Sequence, residues 1–372
     1  MRRERVTPRP DWPARVEALG LSFHSEEGVP YWCEEACYSF TAAEIDRIEE
    51  DTARLHELCL TAAGRLITGG DLDRLGIGEH FWPWIARSWD RSAPDLYGRF
   101  DLAYDGSGPA KLLEYNADTP TALLEAAVIQ WYWLEETRPA ADQFNSIHER
   151  LIDRWRTIGS GLPAGQTLHF AGVTAEAEDL VTLDYLRDTC EQAGLATRLI
   201  DIADIGWNGR TFTDLEEQPV QALFKLYPWE WMLREGFAAH LTEDRTLFLE
   251  PPWKMVLSTK AILPILWEMF PGHPNLLPAV FRRGDLPGRC VEKPFHGREG
   301  SGIRFLDPGA AGAPEGQHVW QAVPALPRFD GRHALVGSWV IGGEPAGIGL
   351  REDPGLVTGN QSLFLPHYLK SW

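Results

Sequence analysis

This 372-residue sequence offers no disulfide framework, no membrane-length apolar run and no excess of basic residues, and each lack removes a class of function. Its 5 cysteines (Cys33, Cys37, Cys59, Cys190, Cys290) are odd in number and scattered. Cys33 and Cys37 have no second pair to complete a tetrahedral zinc site, so they read as packing residues. No stretch approaches the length needed to span a bilayer. The basic start "MRRERVTPRPDW" is not followed by an apolar segment, so it is no secretory signal, and the expected compartment is the cytoplasm. A formal net charge of −19 argues against a nucleic-acid or anionic-membrane partner. An anionic substrate would need a local basic site, which makes lysines and arginines in unusual contexts informative. Repeats and low-complexity linkers are also missing, and only the first ten residues read as disordered.

Tryptophan is abundant instead, with 16 in the chain. Clusters such as Trp82, Trp84 and Trp89 could be sugar platforms, but packing of a large core is the commoner use. The segment after Thr41, with Glu44 three residues on, reads as a capped helix from about Ala42 to Leu66. "PTALLEAAVIQWYWLEE" and "ADQFNSIHERLIDRWRTIG" read as two more helices. "QTLHFAGV", a helix over 177–193 and "ATRLIDI" form a strand–helix–strand unit of the kind found in parallel α/β layers. Strand-like runs broken by Gly and Pro fill the last quarter and predict an antiparallel sheet.

The stretch "RFDLAYDGSGPAKLLEYNADTPT" (99–121) holds polar residues where two apolar strands would pair. With period-two alternation, Arg99 shares a face with Asp101 and Glu114 with Asn116. Pairing Tyr104 with Lys111 across the turn sets Asp101 opposite Glu114 and Arg99 opposite Asn116. Two facing carboxylates repel and call for a cation, and Asp, Glu and Asn oxygens are hard donors suited to magnesium. A solvated hairpin face with a salt bridge explains the same pattern.

A second region supplies further parts. Lys293 ends a strand and is followed by a loop carrying Gly297, Gly300 and Gly302, through which backbone amides could approach phosphates. Lys260 stands at the start of a helix, where donors and dipole favour anions. Each alone is weak, because the spacing fits neither the Walker nor the Rossmann glycine pattern. Together with the hairpin they make a site for a magnesium–nucleotide complex.

"RFD…LLEYNADTPT", "STKAILPILW", "EKPFHGREGSGI" and "GLREDPGLVTGNQSLFLPH" occur in the order found in the glutathionylspermidine synthase family, which this chain resembles from "SFHSEEGVPYW" to its end, over the synthetase part alone. The resemblance implies an α/β (α+β) ATP-grasp-like ligase fold in its permuted form, where the metal ligands precede the lysines. It implies a small parallel α/β substrate-binding layer and an antiparallel lid sheet. The expected segments are 1–160 (helices and metal-binding hairpin), 161–250 (parallel layer) and 251–372 (nucleotide-binding part and lid). By the resemblance, Asp101, Glu114 and Asn116 hold Mg2+ against ATP, and Arg99 stabilises the transferring phosphoryl group. Lys260 and Lys293 bind phosphates under a 297–302 lid. Gln321, Ala322 and Val323 meet the adenine, and Leu356, Val357 and Thr358 close over the nucleotide. Thr119, Glu178, Trp231 and Arg351 fall on the substrate side. The implied reaction joins a small peptide-like carboxylate to a polyamine-like amine through an acyl phosphate. One stretch departs: "KLYPWEW" (225–231) stands where characterised synthetases carry a "KTWAWET"-like contact with glutathione. Trp231 is therefore expected to reshape the acid pocket, which leaves ATP use better supported than glutathione use. A metal-dependent hydrolase would leave the lysines and lid unexplained. An inactive nucleotide-binding relative would leave Arg99 and the metal ligands unexplained.

Overall fold

The computed structural model describes residues 1–26, 28–359 and 362–370, so Asn360 and Gln361 of the last quoted motif lie outside it. Its centre is a six-stranded sheet ordered Leu363–Leu365, Glu344–Asp353, Arg332–Ile341, Tyr97–Ala103, Lys111–Asn116, with Arg328–Phe329 paired to Arg332–Ile341. All its pairings are antiparallel. Strands of the last quarter divide between this sheet and a second one, apart from His367–Leu369, which pairs with Ala36–Phe40. That second sheet, also antiparallel, runs Ala279–Val280, His318–Ala322, Cys290–Pro294, Arg304–Leu306.

The strand–helix–strand unit forms as the pattern predicts: Thr167–Gly172, helix Ala177–Gln192, then Ala196–Asp201. Ala222–Leu226 and Leu247–Leu249 extend it to four parallel strands. Ala222–Leu226 is buried along its whole length, as an inner strand of such a sheet is, while Ala196–Asp201 is the half-exposed edge. The long helix spans Ala42–Gly69, and the Thr41–Glu44 capping box is present in full. "PTALLEAAVIQWYWLEE" is helical later than its pattern suggests, with a π turn at Glu125–Ile129 running into Gln130–Thr137. The third helix starts only at Ile147, because Asp142 and Asn145 bridge to Leu369 and Gly347 as extended chain.

Two expectations are corrected. Arg2–Arg5 is not disordered but pairs antiparallel with Ala36–Phe40, tied by Arg3 to the buried Glu352. In the hairpin Lys111 pairs with Ala103 rather than Tyr104, because a bulge shifts the register between Asp101 and Leu102. The Asp101–Glu114 and Arg99–Asn116 pairs survive, since the slip lies on the turn side of them. Tryptophan mostly serves the core: Trp32, Trp84, Trp133, Trp155, Trp229, Trp320 and Trp339 are fully buried.

Candidate active site

Alternation decides the hairpin's two faces. Phe100 and Tyr115 stack at 3.9 Å on the apolar face, while Arg99, Asp101, Glu114 and Asn116 line a cavity of about 470 Å3. The neighbouring strand makes room for Arg99 through Gly337, where an added Cβ would stand 3.0 Å from the arginine Cδ. Arg99 Nε donates to Asp101 Oδ1 at 2.8 Å, and its Nη1 donates to the Thr121 carbonyl at 2.6 Å. The next residue, Ala122, is held at φ 63°, a conformation disfavoured for a residue with a Cβ.

The sequence argument called for a foreign cation between two repelling carboxylates, but protein cations already meet that demand. Asp101 lies between Arg99 and Arg351, whose Nη2 is 2.6 Å from Oδ2. Glu114 pairs with Lys260 at 3.2 Å and accepts from Asn116 Nδ2 at 3.2 Å. Burial alone would raise the pKa of Asp101, yet Arg351 and Arg99 hold it down to about 2. Burial acts on Glu114 in the same sense, and Lys260 overcomes it, so this carboxyl also lies below its ordinary value.

The bulge links the hairpin to the second sheet. Lys293 Nζ donates to the Leu113 carbonyl and to Gln321 Oε1, both at 2.8 Å, and Gln321 Nε2 donates to the Leu112 carbonyl at 3.0 Å. Burial lowers the Lys293 ammonium to about 8, with the neighbouring Lys260 adding to the effect. Between the sheets runs a slot of about 80 Å3 lined by Val291, Phe305, Leu335, Gln321, Leu356, Val357, Thr358 and Gly300. It opens into the larger cavity past Asp101, Glu114 and Lys260, which line both. Ala322 and Val323 do not line the slot; the Ala322 N–H is committed to the Pro278 carbonyl. Gly302 packs on Pro294 instead.

The glycine loop lies closed over this junction. Lys260 Nζ donates to the Gly297 carbonyl at 2.7 Å, and its backbone N–H to the Phe295 carbonyl at 2.9 Å. Gly300 (φ 74°) fits against Val357 so closely that an added Cβ would come within 2.5 Å of Cγ1. Arg298 donates to Thr119 Oγ1 at 3.1 Å and lies 5.6 Å from the Trp231 ring. Thr119, Glu178 and Arg351 line the cavity; Trp231 does not, and it is 42% exposed.

The remaining wall comes from the parallel layer. Glu176, Glu178 and Asp179 begin the helix Ala177–Gln192, and Glu230 follows the strand Ala222–Leu226. Burial pushes Asp179 up to about 6 against the pull of Arg298, and burial with Asp118 raises Glu230. Asp118 is itself bound to the buried Lys225, which lies 4.2 Å from the Trp229 ring. Tyr31 reaches the cavity and donates at 2.7 Å to Glu125, which burial raises to about 7.

Residues 3–370 match the glutathionylspermidine synthase preATP-grasp family. The chain belongs to that family. A Haemophilus influenzae relative bearing the provisional name acid–amine ligase is 43% identical, over 98% of this chain and 99% of its own length. Trypanothione synthetase of Crithidia fasciculata is 29% identical over 84% of this chain and 53% of its own length. The bifunctional glutathionylspermidine synthetase/amidase of Escherichia coli is 29% identical over 87% of this chain and 58% of its own. The chain spans little more than half the length of these last two. A glutathione synthetase-like effector of Globodera pallida superposes with a TM-score of 0.60 over 97% of this chain and 96% of that one, at 11% identity. The shared feature is the mixed α/β fold of ATP-grasp type.

For this member of the family, several residues at the cavity escaped the sequence reading. Arg298 was visible as a cation inside the glycine loop. Asp118 stood in the quoted "NADTPT". Lys225, Glu125 and Gly337 gave no local signal, because their partners lie between 94 and 238 positions away.

Proposed function

We propose that this protein is an ATP-dependent acid–amine ligase that forms an amide bond through an acyl phosphate. The observation that carries this reading is the single cavity in which the paired carboxylates of the hairpin meet Lys260, the glycine loop and Arg351. Family membership and the relatives' names as ligases support it. A carboxylate oxygen of the acid attacks the γ-phosphorus of ATP, and the bond to ADP breaks. The amine nitrogen then attacks the acyl carbon, phosphate leaves, and the nitrogen gives up a proton. Such transfers depend on positioning and charge neutralisation rather than a protein nucleophile.

In this reading Lys260 and Lys293 hold phosphates, and the apolar slot with Gln321 and the 356–358 segment takes the adenine. Ala322 ends the strand that carries Gln321, and Val323 follows it beyond the slot. Arg99 stabilises charge on the transferring phosphoryl group. Arg351 and Thr119 orient the acid, and the Glu178 wall attracts the amine. Magnesium fits the hard oxygen donors of Asp101, Glu114 and Asn116, where it would neutralise phosphate charge. Their present partners, Arg99, Arg351 and Lys260, would turn toward the anionic reactants. The test is phosphate release from Mg-ATP with glutathione or other small peptides as acid and spermidine as amine. Release that needs both co-substrates is expected. Release that needs neither, or hydrolysis of either co-substrate without ATP, would overturn the reading.

A further inference from the structure

Trp231 is an anomaly of this chain: a large, 42% exposed aromatic beside the cavity that does not line it. Its ring packs edge-on against Tyr227 at 5.3 Å, which leaves a face for the Arg298 guanidinium, 5.6 Å away. Arg298 carries the glycine loop across to the substrate side, where it also bonds Thr119 Oγ1 at 3.1 Å, and beside it His296 Nδ1 stands 4.0 Å from Glu230. On the loop's other flank Gly300 packs against Val357. The loop is thus pinned shut from both flanks.

The slot under the closed loop measures about 80 Å3. Pockets that hold small organic ligands run from about 300 to 1,000 Å3. The slot opens into the larger cavity, but Gly300 and Val357 are in contact at its edge, so a base passes between them only when the loop moves. We infer that the Trp231–Arg298 contact is a latch that holds the glycine loop shut over an undersized nucleotide slot, so that ATP enters only when this contact opens. The inference concerns regulation of the same site and rests on the reading of that slot as the nucleotide's. Trp231 would then act through Arg298, as a positioning residue, rather than by filling an acid pocket. A latch of this kind also lowers apparent nucleotide affinity, because only the open fraction is competent to bind.

The test uses the full chain without acid or amine. Hydrogen exchange of peptides covering 296–302 is compared in wild type, Trp231→Leu, Trp231→Phe and Arg298→Lys. Peptides from Thr167–Gly172 and Ala222–Leu226 report whether each variant remains folded. A cation over an exposed aromatic ring contributes enough to slow opening by about two- to five-fold. Loop exchange should accelerate by that factor in Trp231→Leu, which keeps an apolar side chain but loses the ring. Trp231→Phe should fall between, and Arg298→Lys should exchange faster than wild type. The association rate of a fluorescent N-methylanthraniloyl ATP should rise by a similar factor in Trp231→Leu. Unchanged loop exchange in Trp231→Leu would remove the latch. Faster exchange with an unchanged association rate would show that the contact does not gate nucleotide. If the ATP analogue binds none of the folded proteins, the nucleotide reading of the slot falls and the gating inference with it, whatever the loop exchange shows.

Discussion

Asp101 and Glu114 on the hairpin wall of the cavity, and Asp179 and Glu230 on the wall from the parallel layer, are all carboxyl groups withdrawn from water. Their pKa values move in opposite directions. The first two are held below their ordinary values and the second two are raised, Asp179 to about 6. Burial acts in the same sense on all four, so the difference lies in the cations nearby. The hairpin wall has Arg99, Arg351, Lys260 and Lys293 at hand. On the layer wall Lys225 is already bound to Asp118, Arg298 adds to it, and His296, 4.0 Å from Glu230, is pushed down to about 4 by burial. One wall is electrostatically complete and the other is short of positive charge. A cationic amine is the ligand that would complete it, which is why the comparison bears on the proposed reaction.

The strongest way to break the comparison is to remove the cation that defines the hairpin wall. Arg99→Ala should lower amine-dependent ATP turnover by about 10²- to 10³-fold while leaving ATP affinity near normal, the pattern of a group acting mainly in the transition state. Asn116→Ala or Glu114→Ala should instead raise the magnesium requirement, with recovery at higher metal concentration. Steady-state rates across a magnesium series separate the two patterns. Wild-type behaviour in all three variants would reduce the hairpin to a solvated face.

Nucleotide binding gives the next largest effect. Mg-ATP at about 100 times its dissociation constant should stabilise the folded protein by about 2.7 kcal/mol, read as a rise in Tm. A Lys260→Ala, Lys293→Ala double variant should lose most of that rise. Because Lys293 also ties the second sheet to Leu113, the variant's own Tm should fall as well, and the ligand-induced shift is the quantity to compare. An undiminished shift would take these lysines out of the phosphate site.

How much of this was legible in the sequence depends on the distance over which each signal acts. Period-two alternation placed Arg99, Asp101, Glu114 and Asn116 on one face, and the capping box fixed the start of the long helix, because both signals are local. The bulge was hidden: Lys293 and Gln321, which engage the Leu113 and Leu112 carbonyls there, come from a different sheet. The Arg351–Asp101 pairing was hidden in the same way, across 250 positions, although the family motif marks Arg351; it gives Asp101 a cation that the local pattern left to a metal. Trp231 shows the reverse error. A departure in a motif was legible, but the direction of its side chain was set by Tyr227 and Arg298 together. Chemistry-bearing residues were found where neighbours in sequence are neighbours in space, and their partners were missed where they are not.

The smallest expected effect sharpens the comparison from the other wall, through pH. Asp179 is raised from an ordinary value of 3.8 to about 6, so between those limits the folded protein binds more protons than the unfolded chain. Its contribution to stability is present below about pH 4 and is lost as pH rises through about 6. Above that, the carboxylate is charged and lacks a full partner, and a bound amine would supply one. Spermidine should therefore bind more tightly as pH rises from 5 to 7, by a few-fold to about ten-fold, and should raise Tm more at pH 7 than at pH 5. Asp179→Asn should flatten that profile, weaken binding at pH 7, and leave the amine-free protein no less stable than wild type there. Glu230 is raised as well, so a residual slope should persist in the single variant and shrink further in Asp179→Asn, Glu230→Gln. Calorimetric titration with spermidine at the two pH values reads these differences directly. An identical pH dependence in wild type and the double variant would mean that the layer wall does not receive the amine, and the contrast between the two walls would lose its functional meaning.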